Sequence, residues 1–143
     1  MCIRDSDWYA MRWKIEVFHK ILKSGCKAEE SKLRTADRLA NLIALFCILS
    51  WRVFWLTMLN RTMPDVEPQT ALTETEIRVL DRLVPDPAGA RRRRRTLSHY
   101  LTKLARLGGY LARASDPSPG NIVMWRGLSR LSLIHISEPT RPY

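Results

Sequence analysis

Several common chemistries are missing from this sequence. Three cysteines without paired spacing give neither a disulfide framework nor a zinc site, and they suit a reducing compartment. Cys26 and Cys47 have no partner histidine or basic helix terminus to mark a thiol nucleophile. No glycine-rich loop of Walker or dinucleotide type occurs, and no signal peptide is evident. Acidic residues are scarce, 14 against 24 Lys and Arg. The longest apolar run, residues 42–51, is interrupted by Arg52, well short of the ~20 residues that a membrane span needs. A buried core helix is therefore expected there, with Trp51 and Trp55 packed in the core and no membrane partner.

What remains is basic and amphipathic. A net charge of +10 and a pI near 10.2 point to a polyanion, with nucleic acid ahead of an acidic membrane surface. Hydrophobic content of 45% supports a packed core, and 143 residues allow one small domain or part of a larger protein.

The most informative stretch is residues 8–23, WYAMRWKIEVFHKILK. Trp8, Met11, Ile15, Phe18 and Leu22 recur at steps of 3, 4, 3 and 4, which predicts a helix with one apolar face turned to other helices. One residue on, Tyr9, Arg12, Glu16 and Lys23 recur at steps of 3, 4 and 7, with His19 and Lys20 filling the missing turn. The same helix then presents a line of phenol, guanidinium, carboxylate and ammonium. One carboxylate between cations suits a metal-dependent phosphodiester site, with an acid for the metal and bases for phosphate. The plainer reading is a surface helix with an i,i+4 Arg12–Glu16 pair. His19 is placed for a DNA contact or a structural hydrogen bond.

Further along, Ser24-Gly25 stops this helix. Thr35 is set to cap a second helix to about Asn60, with Leu39, Leu42, Ile43, Phe46, Leu49, Val53, Leu56 and Leu59 on one face. Residues 61–72 read as a proline-bearing linker. Thr73 and Glu76 form a capping box for a short helix with Ile77, Leu80 and Leu83 inside. After a loop come Arg91, Arg92, Arg93, Arg94 and Arg95. This run is either solvated or in contact with phosphate backbone, and no aromatics interleave it to suggest single-strand stacking. Leu97, Tyr100, Leu101, Leu104 and Leu107 predict a further helix ended by Gly108-Gly109, with His99 structural. Residues 116–120 are loop, and Asn121 is set to cap a last short helix.

The Y-x2-R-x3-E-x6-K spacing of Tyr9, Arg12, Glu16 and Lys23 resembles the Y-R-E-K signature of the IS-four family of bacterial cut-and-paste transposases. The context RW-x-IE-x-FHK resembles its transposon-five branch. K-L-A-R-L-G-G-Y, residues 103–110, followed by Trp125-Arg126-Gly127-Leu128, is similar to the dimerisation domain of that branch. The resemblance implies an all-α fragment. It would hold the helical C-terminal end of a ribonuclease-H-like (α/β) catalytic domain, residues 7–61, and a truncated dimerisation domain, residues 62–130. It implies that Glu16 is the last of three metal-binding acids for magnesium, and that Arg12 and Lys23 hold phosphates of double-stranded transposon-end DNA with Tyr9 in support. It further implies a homodimer in the intact parent and a bacterial, nucleoid-associated cytoplasmic location. The other two acids would lie upstream, so the fragment alone is expected to be inactive. Residues 1–6 and 131–143 resemble translated sequencing-library adapter, which sets Cys2 and His135 aside. The rival reading is a small basic helical nucleic-acid-binding or protein-interaction module without catalysis.

Overall fold

The computed structural model describes residues 3–24, 32–86 and 95–137. Among them every regular element is helical: α1 (Ile3–Ser24), α2 (Ala36–Thr62), α3 (Glu74–Leu83), α4 (Leu97–Leu107) and α5 (Asn121–Ser137), with a 3-10 turn at Pro68–Thr70. The all-α expectation holds. The chain divides inside α2 into two units, Met1–Phe54 and Trp55–Tyr143.

In the first unit α1 is unbroken from Ile3 to Ser24, and the Ser24 hydroxyl turns back to donate to the Lys20 carbonyl at 2.6 Å. Its inward line differs from the expected one. Ile21 is buried, and Val17, Phe18 and Leu22 are half-buried, whereas Met11 and Ile15 are exposed. At 100° per residue the inward face is thus rotated towards Val17 and Ile21. Met11 and Ile15 lie a turn or more before Ile21, where no described residue covers them.

Helix α2 starts after Thr35, whose carbonyl accepts from the Leu39 amide at 3.1 Å, with Asp37 favourably placed in its first turn. Its expected apolar face is buried at Val53, Leu56 and Leu59 but only half-buried at Leu39, Leu42, Phe46 and Leu49, and Ile43 is exposed. Trp51 and Trp55, expected in the core, are exposed instead. Spacing alone put both indoles at core positions, whereas the buried line runs through Ser50, Val53 and Thr57. Trp51 finds a local partner in Phe54, ring centroids 5.7 Å apart. Ala36–Thr62 is also long and apolar enough to cross a membrane by length and composition, and 33% of its most apolar window is buried.

The second unit is built around α4. Leu97, Tyr100, Leu101, Leu104 and Ala105 are fully enclosed, and α4 packs mainly against α5, then α3 and the 3-10 turn. The expected capping box is present. The Thr73 hydroxyl accepts from the Glu76 amide at 3.3 Å, and the Glu76 carboxylate accepts from the Thr73 amide at 2.9 Å. Two orphan donors of α3 are thereby satisfied. Ile77 and Leu80 face inward as expected. Leu83, the last residue of α3, is exposed, and Val79 is buried.

The proline-bearing segment is more than a linker. Pro68 is buried, and the Val66 and Pro64 carbonyls accept the Leu97 and Ser98 amides at 2.8 and 3.0 Å, tying residues 64–66 to the start of α4. Gly109 ends α4 with φ of +100°, a conformation glycine takes freely. Asn121 is the first residue of α5 rather than its cap, since the Met124 amide already donates to Gly120. The Asn121 amide oxygen accepts from Thr57 at 3.4 Å. Helix α5 is long, continuing past Arg130 to Ser137 with Leu131 buried.

Candidate functional site

Helix periodicity sets the first candidate site. Tyr9, Arg12, Glu16 and Lys23 fall within a narrow arc of α1, about opposite the arc of Val17, Phe18 and Ile21. All four are exposed, as are His19 and Lys20. The Arg12 guanidinium lies 5.8 Å from the Tyr9 ring centroid, and its Nε is 3.5 Å from Glu16 Oε1. Arg12 therefore links the phenol and the carboxylate into one chain of contacts. Both ends of the ion pair are about two-thirds exposed. Such a pair is worth only ~0.3–0.5 kcal/mol to a helix, so it leaves Arg12 and Glu16 open to a ligand. Lys23 follows two turns on, roughly 10 Å further along the axis. The His19 ring meets Phe18 edge-on at 5.7 Å. Of the arginine run, Arg95 is exposed, and Arg91, Arg92, Arg93 and Arg94 lie outside the described residues.

A second constellation lies between α3 and α4, and sequence reasoning missed it. Lys103 is only 3% exposed. Its Nζ donates to Asp81 Oδ1 at 2.7 Å and is 3.2 Å from Asp86 Oδ2. The Tyr100 hydroxyl donates to Asp81 Oδ2 at 3.0 Å, and His99 Nε2 sits 3.3 Å from Asp86 Oδ1. Lys103 also lies 5.4 Å from the Tyr100 ring centroid. One buried ammonium thus holds two carboxylates from different places in the chain. Burial pushes the Asp81 carboxyl up, but hydrogen bonds from Lys103 and Tyr100 and the Lys103 charge outweigh it and hold it below the usual carboxylate range. At Asp86 burial is likewise outweighed, by the Lys103 hydrogen bond and by His99. Burial and the bond to Asp81 push the Tyr100 phenol up to about 12. The available signal was Asp81 and Lys103 at the inner edges of two adjacent helices. A lysine looks like a solvent residue in sequence, and its carboxylates sit 22 and 17 positions earlier.

The third feature is a backbone contact. Gly108 and Gly127 meet where α4 crosses α5. A Cβ on Gly127 would collide with the Leu104 carbonyl, and one on Gly108 with the Val123 carbonyl. Across the same junction Arg130 donates to the Leu107 carbonyl, satisfying an acceptor at the end of α4. The K-L-A-R-L-G-G-Y and W-R-G-L segments are therefore the two sides of one close helix crossing.

Taken together, these features define a small helical packing domain joined to an exposed, charge-bearing helix. The family described as Transposase Tn5 dimerisation domain matches residues 48–141, more than half of the chain, and the chain belongs to that family. The match supports a transposase-related function and homodimer formation. It runs past Arg130 over the segment that resembles adapter.

Proposed function

We propose that this chain is a C-terminal piece of an IS-four-family, cut-and-paste DNA transposase. In this reading α1 contributes to the catalytic face of a ribonuclease-H-like domain, and residues 62–130 form the dimerisation domain. Tyr9, Arg12, His19, Lys20 and Lys23 meet transposon-end DNA, and Arg91, Arg92, Arg93, Arg94 and Arg95 add sequence-independent phosphate contacts. The observation that carries the reading is the exposed Tyr9–Arg12–Glu16 chain with Lys23 on the same arc, in a chain whose remainder belongs to a transposase domain family. A carboxylate flanked by two cations, all facing water, suits a metal-bound phosphodiester better than a folding role.

Magnesium binds through several oxygen ligands. Glu16 offers one exposed carboxylate, and among the described residues no three His, Cys, Asp or Glu side chains gather as a metal site. The described residues therefore do not make up the site by themselves. Under the family resemblance the metal site needs two further acids. The end segments, residues 1–6 and 131–143, are read as foreign to the parent, and sequencing across both junctions tests that reading.

The central test uses an intact transposase carrying this segment. Glu16→Gln keeps the side chain's size and removes its charge, so end binding in a gel shift survives while cleavage falls by orders of magnitude, each ~1.4 kcal/mol being tenfold in rate. Arg12→Ala weakens end binding first. Near-normal cleavage by the Gln variant would remove Glu16 from the metal site and the catalytic reading with it.

A further inference from the structure

We propose that His99 and Lys103 form a two-pronged latch on Asp86, and that protonation of His99 closes it, docking residues 84–86 on α4. The device lies wholly in the second unit and does not depend on the DNA reading above.

His99 and Lys103 stand four residues apart on α4, so their side chains reach out on the same side of the helix. Asp86 comes to them from the segment after α3 and gives one carboxylate oxygen to each. Its Oδ2 lies 3.2 Å from Lys103 Nζ, and its Oδ1 lies 3.3 Å from His99 Nε2. The two prongs are not equivalent. Lys103 is shared with Asp81, to which it makes the shorter bond of 2.7 Å, and one ammonium cannot balance two carboxylates. The charges acting most strongly on Asp86 are those of Lys103 and His99. His99 supplies its charge only when protonated, and histidine is the side chain that ordinarily titrates between ~pH 5 and 8. Its ring is 12% exposed and meets Tyr100 edge-on at 5.4 Å, while the Tyr100 hydroxyl is itself tied to Asp81. The imidazole therefore has a defined edge to offer the carboxylate, with little water between to screen it.

Other charges surround this end of α4. Asp65 and Glu67 flank Val66, whose carbonyl accepts the Leu97 amide. Helix α3 carries Glu74, Glu76, Arg78, Asp81 and Arg82, and Arg95 precedes α4. Helix α5 brings Arg126 and Arg130, the latter bonded to the Leu107 carbonyl at the far end of α4. Carboxylates and guanidinium groups ordinarily keep their charge across the histidine range, so they form a constant background against which His99 switches. As the pH falls through that range, a positive charge appears beside Asp86 Oδ1 and docking tightens. As the pH rises, the latch loosens. Far below, where Asp86 itself takes a proton, it opens again.

The test uses the full chain and amide hydrogen exchange at ~pH 5.5 and ~pH 8, either side of the ordinary histidine value. Rates are expressed as protection relative to an unstructured peptide at the same pH. The probe is the Val84 amide, which donates to the Leu80 carbonyl at 2.9 Å where the docked segment leaves α3. Its protection should be several-fold lower at the higher pH, with a smaller change at the Leu104 amide inside α4. His99→Gln and Asp86→Asn should each remove the pH dependence and leave Val84 at the low level. His99→Lys carries its charge at both pH values and should hold Val84 near the high level throughout. If Val84 protection in the unmodified chain is the same at both pH values, the latch does not exist. If His99→Gln keeps the dependence, another group is the switch, and if His99→Lys behaves like His99→Gln, charge is not what closes it. Either result overturns the inference. Should a His99 variant lose its helical circular dichroism, the unmodified chain and Asp86→Asn decide, since the Asp86 side chain is 48% exposed and the exchange keeps its size.

Discussion

The two units treat their apolar side chains in opposite ways. In the second, Leu97, Leu101, Leu104, Leu128 and Leu131 are almost completely removed from water around α4. In the first, Met11, Ile15, Leu45, Ile48 and Trp51 remain exposed on helices just as regular. Apolar residues recur at helical spacing in both, more sharply in α3 and α4 than in α1 and α2. The difference lies in whether a neighbour is present: α4 is surrounded by α3, α5 and the 3-10 turn, whereas no described residue covers the outer faces of α1 and early α2. Amphipathicity thus specifies a helix and a sticky face, and tertiary context decides whether that face becomes core.

The sharpest break of this comparison is a truncation at the centre of the second unit. Leu104→Ala removes a fully buried side chain, and the expected loss is ~2–5 kcal/mol, the range for such cavities. Urea denaturation followed by circular dichroism measures it. Gly127→Ala tests the same crossing by adding atoms. Its Cβ meets backbone, which cannot rotate away, so a loss of at least ~1–3 kcal/mol is expected. If either variant were as stable as the unmodified chain, α4 and α5 would not cross at these residues.

Next in size is the buried lysine. Lys103→Met keeps a long apolar stem and removes the ammonium. Removing one partner of a fully buried pair costs ~3–5 kcal/mol. Asp81 and Asp86 are 33% and 48% exposed and regain water, so the expected loss here is smaller, ~1–2 kcal/mol. The same network fixes the direction of the pH dependence. Both carboxyls are held below their ordinary value in the folded state, so their stabilisation is fully present above the ordinary carboxylate range. It is lost as the pH falls through the depressed values. The urea midpoint should therefore drop on acidification below that range, and Lys103→Met should flatten the drop. At the alkaline end the sign reverses. Tyr100 is raised to about 12, so its contribution is full below the ordinary tyrosine value and is lost as the pH rises towards about 12. Tyr100→Phe should remove that alkaline component, read from the same midpoints.

How far the sequence reached follows the same division. The capping box at Thr73 and Glu76, the stop at Gly109 and the α4 face were legible, because each depends on residues within a turn or two of one another. The glycine-bearing segments around Gly108 and Gly127 were legible as a family likeness, and only the structure brings them face to face. The indoles of Trp51 and Trp55 were misplaced because a large apolar residue in a helix reads as core whether or not a neighbour is present. Lys103 was passed over for the converse reason. Its burial depends on two carboxylates that fold back from α3 and the segment after it. On α1 the Tyr9, Arg12, Glu16 and Lys23 line was legible as a stripe. The rotation that sets it about opposite Ile21 required knowing which residues are enclosed.

The smallest expected effect is the most discriminating for the first unit. Ile48 is 65% exposed and Trp51 57% exposed. If α2 presents this face to water in the isolated chain, Ile48→Ser and Trp51→Ser remove nothing from a core, and the change in stability should stay within ~0.5 kcal/mol, as for ordinary surface substitutions. A stripe of large apolar side chains in water also favours non-specific association, so the double variant should stay monodisperse to higher concentration in light scattering. A loss comparable to that of Leu104→Ala would mean that Ile48 and Trp51 are enclosed after all. The contrast between a covered α4 and an uncovered α2 would then have to be abandoned. Unchanged stability with better solubility would place the division between the two units in what surrounds each helix rather than in the helices themselves.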